Sequence, residues 1–247
     1  MELIGLTGLP EMRPGDDVAQ AIADAAKRQR VELRGGDVLV VAQKIVSKAE
    51  GQIVRLSEVK ASGRARRIAR RMGQDARFIE VVLRESRRVV RMNERVLIVE
   101  TRQGFVCANA GVDRSNAPGR DCVTCLPRDP DRSARRLAAT IKKRLGARVA
   151  VIVSDTFGRP WRLGLVNAAI GAAGLEVLRD LRGMKDAGGH VLRGTMLAVA
   201  DELAAAAGLV MGKLERVPVV IVRGYRYTRA RQSAKDLVRP AAEDLFR

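Results

Sequence analysis

The sequence predicts an α/β fold of mixed α+β character, and three observations support this. Apolar runs at Val38–Ala42 and at 217–222 are continuous, as in strands that are buried on both faces. The segment 194–211 carries alanine, leucine and valine on most faces of a helical pattern, which is typical of a central helix. With 247 residues, 47% of them hydrophobic, we predict a single domain over 1–247, with two subdomains as the alternative.

The first elements follow from turn and cap signals. A short strand is predicted at 3–6, before turns that contain glycine and proline. Asp16 or Asp17 can cap a helix over Val18–Arg28, where alanines favour helix. A pair of glycines then precedes the apolar run Val38–Ala42.

The remaining elements are predicted with less regular boundaries. Gly63 suggests a break in the first of the middle helices, and Gly212 is placed to cap the central helix at its C-terminal end. Small residues at 168–174 indicate close backbone packing, and 119–132 reads as a surface loop. The predicted helices are 58–72, 76–87, 132–145, 194–211 and an outer polar helix in 229–247; the predicted strands are 95–100, 104–108, 149–153 and 217–222.

Two acidic turns are the strongest functional signal. Asp113 follows an apolar run at 105–108, and Asp155 follows another at 149–153, in a segment that holds the only tryptophan. Both carboxylates would then lie at the carboxyl ends of strands, where α/β sheets bind ligands. Two such groups can hold Mg²⁺ between phosphate oxygens, and lysines just beyond a strand, such as Lys44 and Lys48, can meet phosphates. The alternative is that both aspartates are turn or capping residues.

The net charge of +18 and the pI near 11.1 raise the question of nucleic-acid binding. However, 37 of the 46 basic residues are arginines spread over several segments, and the densest cluster, at 64–71, has helical spacing. A solvated helix face is the favoured interpretation, ahead of a site for a small anionic ligand. Aromatic residues make up only 3%, which leaves few platforms for base stacking, so a nucleic-acid partner is not expected.

Other site classes find little support. Cys122 and Cys125 form a C-x-x-C pair, but a zinc site would need Cys107 and the single His190 as well, and nearby prolines argue against a thioredoxin-like helix. The sequence has neither a P-loop, nor a dinucleotide fingerprint, nor a serine nucleophile elbow. No apolar run approaches 18 residues and no signal peptide is visible, which favours a cytoplasmic location without a membrane partner.

Four segments together resemble the coenzyme F420-0:L-glutamate ligase family. The match extends over roughly residues 3 to 224, and several of the motifs are long and nearly unbroken. The segments are Gly8-Leu9-Pro10-Glu11, the run 40–51 with Gln43, Lys44, Ser47 and Lys48, the run 108–116 with Asp113 and Asn116, and the run 154–162 with Asp155, Thr156, Arg159 and Trp161.

The resemblance implies the unusual α/β fold of that family, in an intertwined homodimer. It also implies an enzyme that uses GTP and a divalent metal, Mg²⁺ or Mn²⁺ with one or two ions per site and K⁺ as a further candidate. Its substrates would be L-glutamate and coenzyme F420-0, joined at the lactyl carboxylate, and further glutamates would be added through γ-linkages. An acyl phosphate would be the intermediate.

The resemblance also assigns site residues by motif. Asp113 and Asp155 would hold one metal and Thr156 a second, while Asp113, Asp155 and Arg159 would be catalytic. Lys44, Lys48, Arg159 and Arg162 are candidates to bind phosphates or the acceptor's phosphodiester and carboxylate. The residues implied to contact the nucleotide are Gly8, Leu9, Pro10, Glu11, Lys44, Ser47, Lys48, Asn116, Met211, Gly212 and Lys213, the last three in a segment that extends to Pro218.

Two departures from the family pattern affect these assignments. Leu165, Val166 and Asn167 stand where members commonly carry more polar residues, which leaves two alternatives open: a divergent ligase acting on another carboxylate, or a non-catalytic nucleotide-binding relative. Lys213 stands where some relatives place a metal-binding glutamine. An ammonium cannot ligate a cation, so we hypothesise that Lys213 supplies part of the second metal's charge.

Overall fold

The computed structural model describes residues 1–244, and it is a mixed α/β protein. Its helices are α1 (Val18–Arg28), α2 (Gln43–Ala49), α3 (Gly63–Met72), α4 (Ala76–Arg84), α5 (Pro130–Leu145) and α6 (Val199–Met211). Its strands are β1 (Glu2–Leu6), β2 (Val38–Ala42), β3 (Ile53–Arg55), β4 (Ser86–Met92), β5 (Leu97–Thr101), β6 (Val106–Ala108), β7 (Cys122–Thr124), β8 (Ala150–Arg159), β9 (Arg162–Ala173), β10 (Arg179–Asp180), β11 (Met196–Leu197) and β12 (Val219–Arg223).

A five-stranded sheet forms the centre of the molecule. Its strand order is β1-β12-β2-β8-β9. Only β2 and β8 run parallel, with Val38 opposite Ala150 and Ala42 opposite Ser154. β2 ends there and α2 begins at the next residue, whereas β8 continues beyond it. The parallel pair therefore has an open carboxyl end, the kind of edge at which α/β sheets bind ligands.

Helices cover both faces of this sheet. Odd-numbered residues of β2 and β8, such as Leu39 and Val151, share a buried cluster with residues of α1 and α5. Even-numbered residues, such as Val40 and Ile152, share a second cluster with residues of α6. Because side chains alternate along a strand, the continuous apolar runs serve two cores at once.

A third core lies in the segment between β2 and β8. The amphipathic helices α3 and α4 pack their apolar sides, with Ile68 and Phe78, against residues of the β4-β5-β6 sheet such as Leu97. The arginines of α3 stay exposed while Ala65, Ile68, Ala69 and Met72 are buried. This confirms the predicted solvated helix face.

The hairpin of β8 and β9 closes one side of the sheet. A bulge interrupts its register between Val153 and Ser154. The N–H groups of Ala169 and Ala172 in β9 donate to carboxylates, at 2.8 Å in each case: Ala169 to Asp201 of α6, and Ala172 to Asp131 of α5. The two helices that cover opposite faces of the sheet thus both hold its last strand.

The helix caps confirm part of the sequence analysis. Asp17 caps α1, since its side chain accepts from the N–H of Gln20 at 3.1 Å. Gly212 is the C-cap of α6. The break at Gly63 is also confirmed, because α3 begins there, but only Leu56–Glu58 of the preceding stretch is a 3₁₀ turn.

Several predicted boundaries are wrong. The helix predicted at 76–87 ends at Arg84, and β4 follows it, because these arginine-rich residues pair with β5. The segment predicted as a loop at 119–132 contains β7, which pairs with β3, and the start of α5. The helix predicted at 194–211 begins only at Val199, after β11.

Two further predictions need correction. The strand predicted at 149–153 continues to Arg159, so Asp155 lies within a strand and not in a turn. By contrast, the close backbone packing predicted at 168–174 is confirmed: these residues lie mostly in β9, and a Cβ at Gly171 would come within 2.4 Å of the backbone of Pro130. In place of an outer helix in 229–247, residues up to 244 form only short 3₁₀ turns at Ala234–Leu237 and Ala241–Glu243; the rest of that prediction lies outside the described residues. Within residues 1–244, no helix has the length and apolar content needed to cross a membrane.

Candidate active site

Lys44 and Asp113 meet at the open end of the parallel strand pair. The Nζ of Lys44, in the first turn of α2, lies 2.6 Å from Oδ2 of Asp113. Ser115 closes the arrangement: its N–H donates to Oδ1 of Asp113 and its hydroxyl to Oδ2, both at 2.7 Å. Lys44 also donates to the carbonyl of Ser115 at 3.1 Å and to its hydroxyl. The ion pair thus joins the start of α2 to the loop that carries Asp113.

The backbone before Asp113 adopts an uncommon conformation. Asn109, Ala110 and Gly111 all have positive φ, at 53°, 54° and 67°. A side chain at Gly111 would place its Cβ 2.6 Å from Leu126, so glycine is required there for space as well as for conformation. Consecutive left-handed residues carry strain that the surrounding packing must maintain, and such strain clusters at functional sites.

Asp155 approaches the same region from β8. It follows Ser154, the last residue of β8 opposite β2, and it shares the face of β8 that carries Val151 and Val153. Burial raises the pKa of Asp155 to about 6; the nearby carboxylate of Asp113 adds to this, while the positive charges of Lys44 and Lys213 oppose it. The two aspartates are therefore close enough to influence each other.

Asp113 behaves differently from Asp155. Burial acts to raise its pKa, but hydrogen bonds from Lys44 and Ser115 outweigh that effect, so the pKa of Asp113 is lowered. Asp113 is thus ionised and held by several hydrogen bonds, whereas within the described residues Asp155 has a hydrogen bond from the backbone of Thr156 and no ion pair. A bound cation would supply the positive charge that stabilises the ionised form of the buried Asp155, so the difference between the two aspartates is consistent with a cation site.

The donor set fits one divalent cation. Asp113 and Asp155 supply carboxylate oxygens, and Mg²⁺ is commonly held by one or two carboxylates, with phosphates and waters as the other ligands. In the part of the chain that the structure describes, no group of three or more His, Cys, Asp or Glu side chains could hold a metal ion. A metal at this site would therefore need phosphate oxygens of a bound ligand to complete its coordination. Lys44 would also have to move away from Oδ2 of Asp113 to free it for the metal.

Thr156 lies on the opposite face of β8 from Asp155. Its hydroxyl donates to Oδ1 of Asn167 in β9 at 2.9 Å and accepts a hydrogen bond from Lys213. The Asn167 amide nitrogen also lies 3.5 Å from the sulfur of Met211. Among residues 1–244, the hydrogen-bond partners of this hydroxyl are the Asn167 amide and the Lys213 ammonium. A divalent cation does not fit here, because an ammonium cannot be a ligand and repels a cation.

Ser154 is a buried residue of this face that sequence reasoning missed as a site residue. It is 2% exposed, and its Oγ is the one buried side-chain nitrogen or oxygen within residues 1–244 that has no hydrogen-bond partner. Strand alternation places it on the same face as Thr156. Strand alternation is the signal that could have identified it, had 154–159 been predicted as a strand and not as a turn.

The segment Gly8-Leu9-Pro10-Glu11 is tied to α2 by an ion pair. Lys48, whose side chain is only 4% exposed, pairs with Glu11. Ser47 is fully buried, and its hydroxyl donates to Oε1 of Gln43 at 2.7 Å, so in this arrangement it stabilises α2 and offers no hydroxyl to solvent. Gly8 has positive φ and open space where a side chain would be.

Not every candidate lies near the aspartates. Arg159 is the last residue of β8, four positions and about 13 Å along the strand beyond Asp155. Its guanidinium donates to the carbonyl of Leu163, and Arg162 is exposed at the start of β9. Asn116 is exposed, with a left-handed backbone, in the loop that follows Asp113.

In the described part of the chain, the cysteines and His190 do not come together as a group of three or more metal ligands. Cys107 and Cys125 are buried, Cys122 is partly exposed, and His190 is an exposed residue that contacts Asp186. Burial raises the pKa of the Cys107 thiol and of the Cys125 thiol to about 12. Both are protonated at neutral pH, so a thiolate role for them has no support.

Comparisons with known proteins point to one family. A family model described as F420-0:Gamma-glutamyl ligase matches residues 7–224. A protein of Methanothermobacter thermautotrophicus is 47% identical, over 100% of this chain and 99% of its own. Proteins of Methanopyrus kandleri and Methanocaldococcus jannaschii are 47% and 39% identical, over 96% and 100% of this chain and 94% and 97% of their own. All three are named coenzyme F420:L-glutamate ligase.

Proposed function

This chain belongs to the F420-0:gamma-glutamyl ligase family, and on that premise we propose that it joins L-glutamate to coenzyme F420-0 at the expense of GTP. The amide would form between the amine of glutamate and the lactyl carboxylate of F420-0. The observation that supports this most directly is the convergence of Asp113, Asp155 and Lys44 at the end of the parallel strand pair. Carboxylates with adjacent lysines suit phosphoryl transfer, in which catalysis is mainly positioning and charge neutralisation.

The reaction needs activation because a carboxylate is a poor electrophile toward an amine. In the proposed first step, a carboxylate oxygen of F420-0 attacks the γ-phosphorus, the bond to the β,γ-bridging oxygen breaks, and GDP leaves with the electron pair. In the second, the uncharged amine of glutamate attacks the acyl carbon, the carbon–oxygen bond to phosphate breaks, and inorganic phosphate leaves. The surplus proton of the amine passes to solvent.

The metal proposal assigns Asp113 and Asp155 as the protein ligands of one Mg²⁺ or Mn²⁺. A bound divalent cation neutralises charge on the transferring phosphoryl group and holds the reacting oxygens in line. Lys44 is already within reach of Asp113, so we propose that it turns to a phosphate oxygen when the cation binds. Ser115 would then keep Asp113 oriented through its two hydrogen bonds.

The nucleotide would lie between the segment Gly8-Leu9-Pro10-Glu11, the loop of Asn116 and the end of α6. Lys48 supports the first of these, because its buried ammonium pairs with Glu11 and fixes that segment to α2. We propose that Lys48 positions this segment and does not bind phosphate itself. Arg159 would bind the acceptor F420-0 at the tip of the β8–β9 hairpin. Its distance from the aspartates suits a contact with a part of F420-0 remote from the reacting carboxylate.

A homodimer is part of the proposal. Leucine side chains stand unusually exposed near the hairpin tip and the end of α6: Leu163 at 95%, Leu209 at 85% and Leu214 at 89%. Large apolar side chains with this exposure are often covered by a partner, and we propose a second copy of this chain as that partner. Light scattering after gel filtration should give twice the chain mass, and Leu163→Arg should lower it, whereas Leu145→Arg, at the end of α5, should not. A monomeric wild type would contradict the proposal.

Mass spectrometry of the reaction products tests the function. The protein is incubated with GTP, Mg²⁺ or Mn²⁺, L-glutamate and F420-0, and the cofactor is examined for added glutamate residues. Asp155→Asn should lower the rate roughly 100-fold or more, as expected when a group that stabilises transition-state charge is lost. Asp180→Asn, an exposed carboxylate paired with Arg182, is the matched control and should leave the rate unchanged.

Two outcomes distinguish the alternatives. GTP binding with no glutamate added to F420-0, but with phosphate release in the presence of another carboxylate, would favour a divergent ligase. The observation behind that alternative is Leu165, an exposed apolar residue in β9 where family members are commonly more polar. GTP binding with no phosphate release for any acceptor would indicate a nucleotide-binding relative without ligase activity.

A further inference from the structure

Lys213 takes part in the site in a way that depends on its charge. Its ammonium donates to Oγ1 of Thr156, just beyond the residue that is proposed to bind metal. Among the residues that the structure describes, Lys213 forms no salt bridge, and its positive charge acts on Asp155. With no carboxylate partner among the described residues, Lys213 brings a positive charge close to Asp155 from the other face of β8.

The turn after α6 holds this lysine in place. Gly212 adopts φ +54° and ψ −153°, and the carboxylate of Glu215 fills the space that a side chain at Gly212 would occupy. Oε2 of Glu215 also accepts from the N–H of Leu214 at 2.8 Å. These contacts fix the backbone on either side of Lys213, and the hydrogen bond to Thr156 orients its side chain.

The Thr156 hydroxyl is poorly suited to a second cation. Its proton is donated to Asn167, and one of its oxygen lone pairs accepts from Lys213. An ammonium has three donors and no lone pair, so it cannot be a metal ligand. A divalent ion at this oxygen would have to displace Lys213 and would be repelled by it.

We infer that the Lys213 ammonium replaces a second divalent cation in this chain, so that the site binds a single Mg²⁺ or Mn²⁺ together with the nucleotide. The inference rests on the proposed GTP-dependent function. The remaining N–H groups of Lys213 would donate to phosphate oxygens as a fixed point charge. The site then combines one metal, held by Asp113 and Asp155, with one lysine.

Native mass spectrometry counts the ions directly. The whole protein is mixed with Mn²⁺ and a non-hydrolysable GTP analogue, and the mass of the complex gives the number of ions per chain. We expect one Mn²⁺ for each bound analogue in the wild type. We expect two in Lys213→Gln, because the amide oxygen can ligate a cation and the competing charge is gone. Lys213→Met, which removes the charge without adding a ligand oxygen, is the matched control and should hold one.

Electron paramagnetic resonance of the same samples provides an independent measurement. A single Mn²⁺ gives an uncoupled spectrum, whereas two ions about 4 Å apart, the usual spacing in two-metal sites, give a spin-coupled one. Two ions in the wild type, or one ion in Lys213→Gln, would overturn the inference while leaving the ligase proposal intact. If the analogue does not bind at all, the GTP-dependent function fails, and this inference fails with it.

Discussion

Asp131 offers the sharpest test of how the sheet is held together. This residue of α5 is 3% exposed, and its Oδ1 accepts from the N–H of Ala172 and from the N–H of Ala234, both at 2.8 Å. One carboxylate oxygen thereby fixes the last strand of the sheet and the first 3₁₀ turn of the C-terminal region. Replacement of Asp131 by alanine would leave both N–H groups buried without an acceptor.

The magnitude follows from those two groups. An unsatisfied buried donor costs about 1–3 kcal/mol, so Asp131→Ala should lower the free energy of unfolding by about 2–6 kcal/mol. Asp131→Asn keeps an acceptor oxygen at the same place and loses the negative charge near the N-terminus of α5, worth about 0.3–1 kcal/mol. The two variants should therefore differ by at least about 1 kcal/mol, with alanine the less stable.

Urea unfolding followed by circular dichroism gives both values. The midpoint of unfolding should move to lower urea for Asp131→Ala with the slope unchanged, because the surface exposed on unfolding stays nearly the same. If Asp131→Ala is as stable as Asp131→Asn, the two hydrogen bonds do not matter for stability and the reasoning is refuted. A changed slope would instead show that the native or denatured state had altered.

Three further predictions concern the candidate site and the cysteines. Gly111→Ala should cost about 2–4 kcal/mol in unfolding free energy, since it adds a side chain at φ +67° that meets a leucine at 2.6 Å; a loss below about 1 kcal/mol by urea unfolding would contradict this. Ser154→Ala should keep or raise stability by up to about 1 kcal/mol in the same assay, because its hydroxyl has no partner; a clear loss would reveal one. Iodoacetamide at pH 8 should modify Cys122 alone, because thiols with a pKa of about 12, Cys107 and Cys125, are thiolate in roughly one molecule in 10⁴; mass spectrometry detecting either of them modified in the native protein would contradict their burial.

The sequence was sufficient to predict the strands that are buried on both faces. Val38–Ala42 could be predicted without knowing its neighbouring strands, because a short continuous apolar run after a turn is typical of a strand buried on both faces. β4 was missed because Arg87, Arg88 and Arg91 interrupt its pattern, and only pairing with β5 makes it a strand. Such tertiary context is absent from local propensity.

The candidate site was predicted unevenly for a similar reason. The resemblance assigned Asp113 and Asp155 to one metal and Lys44 to the nucleotide, and these roles stay predictions; the structure adds the ion pair between Lys44 and Asp113 and the influence of both on Asp155. The resemblance assigned Ser47 to the nucleotide, because sequence alone does not separate a hydroxyl that binds a ligand from one that stabilises a helix; only the fold shows that this hydroxyl is buried and bonded to Gln43. The contact between Lys213 and Thr156 also needed the fold, because two distant segments form it.

The connection between the parallel strands has a consequence for how the protein folds. β2 and β8 are neighbours in the sheet, yet α2 to α5 and the whole third core lie between them along the chain. Closing so long a loop lowers the entropy of the chain before the contacts between β2 and β8 can stabilise it. Topologies rich in such distant contacts therefore fold slowly. Lys44 and Asp155 can meet only after that closure. A nascent chain that has not yet made β8 therefore has no site, and activity should be among the last properties to appear during refolding.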